Sequence, residues 1–265
     1  MTDGYGSPGT FLRPPTLQGG LADPAAVEHA LARAALYRLL AGAWLYPTAA
    51  RLADLARAAT TAAENPLLPE LREPLAALAA AARGAEPAAA AEEHVFLFDR
   101  QVRCSPYEGA YGDGPQLAGK SAALADVAGF YAAFGLGPAE GRPDMEDHVG
   151  AELEFMSALA LKEAWALGAG DAEGVAVTRH AQVAFLRDHL GRWAETFAGE
   201  VAAATPLPTY TAAAALLTIW IGAESDRLGA APARVAGRLG HDPLQEDALT
   251  CPLSDAGRRP SGAAP

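Results

Sequence analysis

The segment PDMEDHVGAELEFM, residues 143–156, predicts a helix that carries acids and a histidine next to an apolar face. Pro143 suits the first turn of a helix, and the acids after it suit the positive N-terminal end of the helix dipole. A helix over residues 144–167 would place His148 and Glu152 one turn apart on one side. Glu152 falls within the apolar arc, where an unpaired carboxylate would cost several kcal/mol. We therefore expect Glu152 to be paired, with His148 as the nearest partner, or to lie where water enters.

Outside this segment, apolar residues recur at helical spacing almost throughout the chain. The sequence predicts helices over residues 23–46, 48–63, 66–83, 87–98, 120–135, 144–167, 175–204 and 210–228. Asp23 and Pro24 form a typical helix start, because a capping side chain precedes a proline at the first helical position. Alternating runs of β-branched residues are missing, so a sheet has little support. The predicted fold class is all-α.

The 265 residues, of which 51% are hydrophobic, are enough for one sizeable core. We predict a flexible arm over residues 1–22, a single helical domain over residues 23–229 and a flexible tail over residues 230–265. The arm has neither the basic start nor the apolar run of an export signal, and no window approaches the ~18 apolar residues of a membrane span. These features favour a cytoplasmic protein without membrane insertion.

The charge and the cysteines narrow the classes of partner. The formal net charge of -12 argues against nucleic acid, whose phosphates would be repelled. It fits either a basic partner or good solubility, and both interpretations stay open. Cys104 and Cys251 stand far apart in the chain, which does not indicate a disulfide framework.

Two loops and one aromatic stripe surround the predicted site. The loops over residues 104–119 and 138–143 flank one helix and are expected to meet near the start of the next. His148 and Glu152 either bind a ligand directly or hold these loops through backbone hydrogen bonds. Phe185, His189, Trp193 and Phe197 recur every four residues in the predicted helix over residues 175–204. We interpret this stripe as core, with His189 as a core histidine.

Signatures of common enzymes are missing from the sequence. It contains no phosphate-binding Gly-x4-Gly-Lys-Ser/Thr loop, no dinucleotide fingerprint, no Cys-x2-Cys pair and no Gly-x-Ser-x-Gly elbow. One enzymatic alternative is a metal-dependent helical hydrolase that uses Asp144, Asp147, His148 and Glu152. The remaining histidines do not pair with these residues at a recognisable spacing, so we expect no metal. A third possibility is a helical scaffold without peptide specificity.

Four groups of residues together resemble a known family. They are Pro106-Tyr107-Glu108-x2-Tyr111, then Phe130-Tyr131 with Gly135-Leu136, then Pro143-Asp144-x2-Asp147-His148-x3-Glu152-Leu153-x-Phe155-Met156, and finally Phe185-x3-His189-Leu190-x2-Trp193-x3-Phe197. The pattern resembles the cytoplasmic redox-enzyme maturation chaperones of the TorD, DmsD and NarJ type. It covers residues 26–228 and is similar to the subgroup that serves dimethyl sulfide, ethylbenzene, selenate or chlorate enzymes.

The resemblance implies an all-helical chaperone that catalyses no reaction and carries no cofactor of its own. Its partner would be the catalytic subunit of a molybdenum enzyme, bound through the subunit's twin-arginine leader. The chaperone would hold back export by the Tat system until the bis-molybdopterin guanine dinucleotide cofactor is inserted. A surplus of acids and a groove between helices suit a leader with two arginines and an apolar run. The oligomeric state is left open between monomer and dimer.

The same resemblance implies a peptide-binding region formed by Tyr107, Glu108, Asp144, Asp147, His148, Glu152 and Phe155. In this hypothesis Asp147 and Glu152 pair with arginine while His148 orients them. Tyr107 and Phe155 line an apolar wall.

Overall fold

The computed structural model of the protein describes residues 23–100, 102–112, 116–137 and 146–238. Within these residues the chain forms nine α-helices: α1 (Pro24–Ala43), α2 (Ala49–Glu64), α3 (Arg72–Gly84), α4 (Pro87–His94), α5 (Gln116–Ala133), α6 (Val149–Ala169), α7 (Ala172–Asp188), α8 (Leu190–Ala204) and α9 (Pro208–Leu228). Short 3-10 turns occupy Pro69–Leu71 and Glu108–Ala110, and a π-helical turn occupies Val95–Arg100. The described residues contain no named strand, so the predicted all-α class is confirmed.

The starts of the first helices follow from their capping residues. The Asp23 carboxylate accepts a hydrogen bond from the Ala25 amide at 3.1 Å, and Pro24 occupies the first helical position. Thr48 caps α2 by accepting from the Arg51 amide at 3.2 Å. Such caps satisfy amides that have no carbonyl partner within the helix. Both starts agree with the sequence-based prediction.

The core lies where α1 and α6 pack against the pair α8 and α9. Helices α1 and α6 run antiparallel, because Ser157 donates to the Ala34 carbonyl at 2.8 Å while Gly150 lies against the Ala41 carbonyl. Trp44 and Phe197 join the two layers, with ring centroids 4.9 Å apart. Each buried ring of this size stabilises the fold by about 2–3 kcal/mol through apolar burial. The predicted aromatic stripe is therefore core.

A buried ionic network ties α1, α6, α7 and α9 together. Arg33 is 1% exposed and donates to Glu163 at 2.8 Å and to Glu224 at 2.6 Å. Its guanidinium also donates to the Gln182 side chain. Burial alone would raise the pKa of Glu224, but the hydrogen bonds and charge of Arg33 lower it below its usual value. The network is a structural feature that sequence periodicity did not reveal.

Two predicted helices differ from the structure at the site, and elsewhere bounds shift by a few residues, as in α3 and α5, which begin at Arg72 and Gln116. Helix α6 begins at Val149 with His148 as its N-cap, whereas the sequence predicted a start at residue 144. The predicted helix over residues 175–204 is broken at His189, where the backbone adopts φ -127° and ψ -104°. Gly191 permits the break, because a Cβ at this position would lie 2.3 Å from the Leu186 carbonyl oxygen. The first turn of α8 thus folds tightly against the last turn of α7.

The first residues of the predicted tail, 230–238, belong to the described part of the chain. Val235 is buried, donates its amide to the Arg192 carbonyl at 3.0 Å and accepts from Thr196 at 2.7 Å. Residues 233–235 therefore lie against α8, while Gly237 and Arg238 pair with the backbone of residues 111–112. The predicted arm, residues 1–22, and the remainder of the predicted tail, residues 239–265, lie outside the described residues. Among the helices that the structure describes, none combines the length and apolarity needed to cross a membrane.

Candidate functional site

The loop after the π-helical turn and the N-terminus of α6 are joined by backbone hydrogen bonds. Tyr107 and His148 form an isolated antiparallel bridge. On one side of it the Glu108 amide donates to the Asp147 carbonyl at 2.9 Å, and on the other the Val149 amide donates to the Pro106 carbonyl at 2.8 Å. Two of the four groups of residues that carry the family resemblance thus form one structural unit.

Asp147 and His148 fasten this unit with their side chains. The Asp147 carboxylate accepts from the Gly109 amide at 3.1 Å. Nδ1 of His148 accepts from the Gly150 amide at 3.0 Å, and its ring lies 5.3 Å from the ring of Tyr107. These contacts agree with the interpretation that the histidine holds loops through backbone groups. Both side chains are buried, while Tyr107 is half-buried.

Glu152 has a different partner from the one predicted. Its Oε2 accepts a hydrogen bond from the indole of Trp193 at 3.2 Å, and its Oε1 has no hydrogen bond to the described residues. The side chain is 0% exposed. Burial raises the pKa of Glu152 well above its usual value, and the negative charge of Glu108 raises it further. The predicted pairing with His148 does not form, because His148 caps the helix instead of extending it.

Glu108 pairs with His189, a residue that sequence analysis assigned to the core alone. The Glu108 carboxylate lies 3.1 Å from Nδ1 of His189. On the other side of the ring, Nε2 lies 3.3 Å from the Asp126 carboxylate of α5. The rings of Phe130 and Phe185 flank the imidazole, with centroids at 5.3 and 5.1 Å. The histidine is buried as predicted, but it stands between two carboxylates.

The charge state of His189 depends on these neighbours. Burial by itself would lower the pKa of the imidazole, but the hydrogen bond and charge of Glu108 raise it above its usual value, with smaller contributions from Asp126 and Asp188. The acids thus favour the imidazolium over the neutral ring. No local signal in the sequence indicated this pairing, because Glu108 stands 81 residues away from His189 in the chain.

Phe155 lies inside the core. Its ring packs against Tyr131 at 4.7 Å and against Phe185 at 4.7 Å, and it is 3% exposed. Tyr131 donates its hydroxyl to the Glu146 carbonyl at 2.8 Å. These rings support the site from behind, since a side chain this deeply packed does not form an open wall.

An open cavity of about 960 Å³ lies beside Glu108 and His189. Charged residues border it: Glu108, Asp126, Arg187, Asp188, His189 and Arg192. Of the predicted site residues, Glu108 lines this cavity although only 6% of it is exposed, while Asp147, His148 and Glu152 are buried and are not part of the lining. Asp144 lies outside the described residues. No group of three or more His, Cys, Asp or Glu side chains suited to a metal occurs in the part of the chain that the structure describes.

The sequence profile of one protein family matches residues 64–199, and the family is described as nitrate reductase delta subunit. That match covers half of the chain. The chain belongs to the nitrate reductase delta subunit family. This is the NarJ/TorD-type chaperone family that the residue pattern resembles. No curated protein matches the chain.

The part that matches the family contains the site residues from Tyr107 to Trp193. Members of this family are chaperones of molybdenum-enzyme maturation and not catalysts. Helices α1 and α9 lie outside the matched residues, although both pack against the helices of the match. The family assignment and the all-helical fold therefore describe the protein as a molybdoenzyme maturation chaperone.

Proposed function

We propose that the protein binds the twin-arginine leader of a molybdenum-enzyme catalytic subunit in the cytoplasm. It holds the subunit until the bis-molybdopterin guanine dinucleotide cofactor has been inserted, and only then allows export by the Tat system. One observation carries this proposal: a carboxylate of the family motif, Glu108, lines a cavity that the exposed carboxylate of Asp126 also borders.

The chemistry of arginine fits this arrangement. A guanidinium group donates several hydrogen bonds from a planar fork, and carboxylates are its strongest partners in proteins. The net charge of -12 attracts a basic peptide before contact and so favours rapid association. The half-buried ring of Tyr107 borders the same loop and suits an apolar side chain of the leader.

The seven residues of the proposed peptide-binding region divide by position. Tyr107 and Glu108 contact the peptide, and Asp144, which lies outside the described residues, remains part of the proposed region. The buried residues Asp147 and His148 hold the loop that presents Glu108. Glu152 and Phe155 lie in the core behind the site, where they contact Trp193 and Tyr131.

Calorimetric titration with the leader of a candidate client tests this function. We expect micromolar or tighter binding by the native protein, and about tenfold weaker binding by Glu108→Gln, which corresponds to ~1.4 kcal/mol. Replacing both leader arginines by lysines should weaken binding as well, because lysine lacks the planar fork.

The matched control is Glu92→Gln, which removes an exposed carboxylate on α4, outside the site. It changes the net charge by the same amount as Glu108→Gln. Equal loss of binding in both variants would mean that charge alone attracts the peptide. Absence of binding to the leaders of all molybdenum enzymes encoded near the chaperone would refute the proposed function.

A further inference from the structure

His189 combines deep burial with a place at the open cavity. It is 2% exposed, yet it belongs to the cavity lining together with Glu108 and Asp126. These two carboxylates come from different elements, the loop before α5 and α5 itself. The Asp126 side chain is 68% exposed, so a molecule that enters the cavity can reach it.

The hydrogen bonds of the His189 imidazole indicate which kind of ligand the cavity can bind. If the ring is neutral with its proton on Nδ1, it donates to the Glu108 carboxylate at 3.1 Å. Nε2 is then an acceptor, and it makes no hydrogen bond within the described residues. An acceptor nitrogen and the Asp126 carboxylate therefore lie side by side. A group that donates several hydrogen bonds and carries positive charge satisfies both.

If the His189 ring is protonated, the cavity disfavours a cationic ligand. Nε2 then carries a hydrogen towards Asp126, whose carboxylate is 3.3 Å away. The imidazolium neutralises Glu108 and Asp126 itself, and a second cation beside it would be repelled. Proton and cationic ligand thus compete for the same two carboxylates.

We propose that the cavity beside His189 binds the guanidinium group of one leader arginine, and that this binding displaces a proton from Nε2 to the solvent. The inference rests on the proposed function and specifies one subsite and its regulation. The guanidinium donates to the Asp126 carboxylate and to Nε2 of neutral His189, while Nδ1–H remains on Glu108.

The other charged groups at the cavity are already partnered. Arg187 forms an ion pair with Asp188, and Nε of Arg192 donates to the Ala233 carbonyl at 3.3 Å. Phe130 and Phe185 cover the ring faces and carry no charge. The acids that raise the pKa of the imidazole favour its protonated form in the free protein, and this is the proton that the ligand displaces.

The experiment follows the His189 ring by NMR while arginine amide, and separately the leader peptide, is added between pH 5.5 and 8.5. We expect the His189 signal to shift with ligand, and its pKa to fall. Calorimetry in two buffers of different ionisation enthalpy should show the release of up to one proton. Below the pKa of the free histidine, affinity should rise up to tenfold per pH unit.

Two variants test the assignment. His189→Gln has no titrating group, so binding should lose its proton release and its dependence on pH. Asp126→Asn changes an exposed side chain and should weaken binding of arginine amide about tenfold with the fold intact. His180→Gln, at an exposed position of α7, is the matched control and should change neither property.

The outcomes separate this inference from the proposed function. Leader binding without proton release, or equally proton-linked in His189→Gln, would overturn the inference while the leader-binding function stands. Arginine amide that binds with proton release, in a protein that ignores the leader, would support the subsite and refute the leader as its source. Failure of both ligands to bind or to shift His189 would overturn both.

Discussion

Glu152 and Glu163 are two buried acids of α6 for which the structure predicts opposite behaviour. They are about three helical turns apart, and their exposed fractions are 0% and 2%. Burial and the charge of Glu108 raise the pKa of Glu152. Burial also acts on Glu163, but hydrogen bonds from Gln182 and Arg179 and the charge of Arg33 lower its pKa below the usual value. Neutralising the first acid should therefore stabilise the protein, and neutralising the second should destabilise it.

We expect Glu152→Gln to raise the free energy of unfolding at pH 8, because the amide can still accept from Trp193 without a charge. Because the folded pKa is raised, Glu152 does not lower the free energy of unfolding at a pH below its unfolded pKa near 4.5. The free energy of unfolding then falls as the pH rises towards the folded pKa. The gain is about 1.4 kcal/mol for each unit by which the folded pKa exceeds the unfolded one. One kcal/mol corresponds to a rise of about 2–4 °C in Tm for a domain of this size.

Glu163→Gln is the matched comparison on the same helix. Removing one member of a buried ion pair leaves Arg33 without a full counter-charge and costs about 3 kcal/mol at pH 7. A lowered pKa means that the stabilisation is present above the unfolded pKa and is lost as pH falls. Urea unfolding at pH 5, 6.5 and 8 measures both variants. A Glu152→Gln variant that is less stable than the native protein at pH 8 would refute the reasoning.

Three further changes have defined outcomes. Gly191→Ala should lower the free energy of unfolding by several kcal/mol, because the new Cβ would lie 2.3 Å from the Leu186 carbonyl oxygen. Urea unfolding measures this loss. Gly199→Ala on the same helix is the control, because its Cβ would meet nothing within 4 Å. Val235→Asp should detach residues 233–235 from α8. The backbone amide of residue 235, which donates to the Arg192 carbonyl, should then exchange its hydrogen faster than in the native protein. Equal exchange rates in the variant and the native protein would contradict the packing. Burial raises the pKa of Cys104 to about 11, so in a Cys251→Ser background iodoacetamide should label the folded protein at pH 8 far more slowly than the unfolded one.

The helices were largely predictable because their signals are local. Asp23 with Pro24, and Thr48, mark starts that the structure reproduces, and apolar spacing predicted the type of each segment. The same local signals failed at His189, because residues 175–204 contain no proline and every local preference allows a continuous helix. The break depends on the contact of Gly191 with the last turn of α7, which periodicity does not describe.

The site was predictable as a region but not as a set of contacts. The motif residues Glu108, Asp147 and His148 do come together, through the bridge between Tyr107 and His148. The partner of Glu152 was not predictable. The helical period predicts on which face of its helix a residue lies, but not which group of another element packs against that face. Trp193 stands 41 residues away in the chain.

The sequence by itself determined the helical class, the family and the surplus of acids, because period, motif and composition are properties of the chain. Only the tertiary structure decided which buried carboxyl groups are stabilised in their ionised form. Glu152 and Glu163 share a helix and a buried face, and the difference between them comes from other elements. Arg33 of α1 supplies a positive charge to Glu163, whereas Glu108 adds a negative charge near Glu152. The electrostatic energy of a buried group depends on its neighbours in space, so it is decided only when the helices pack.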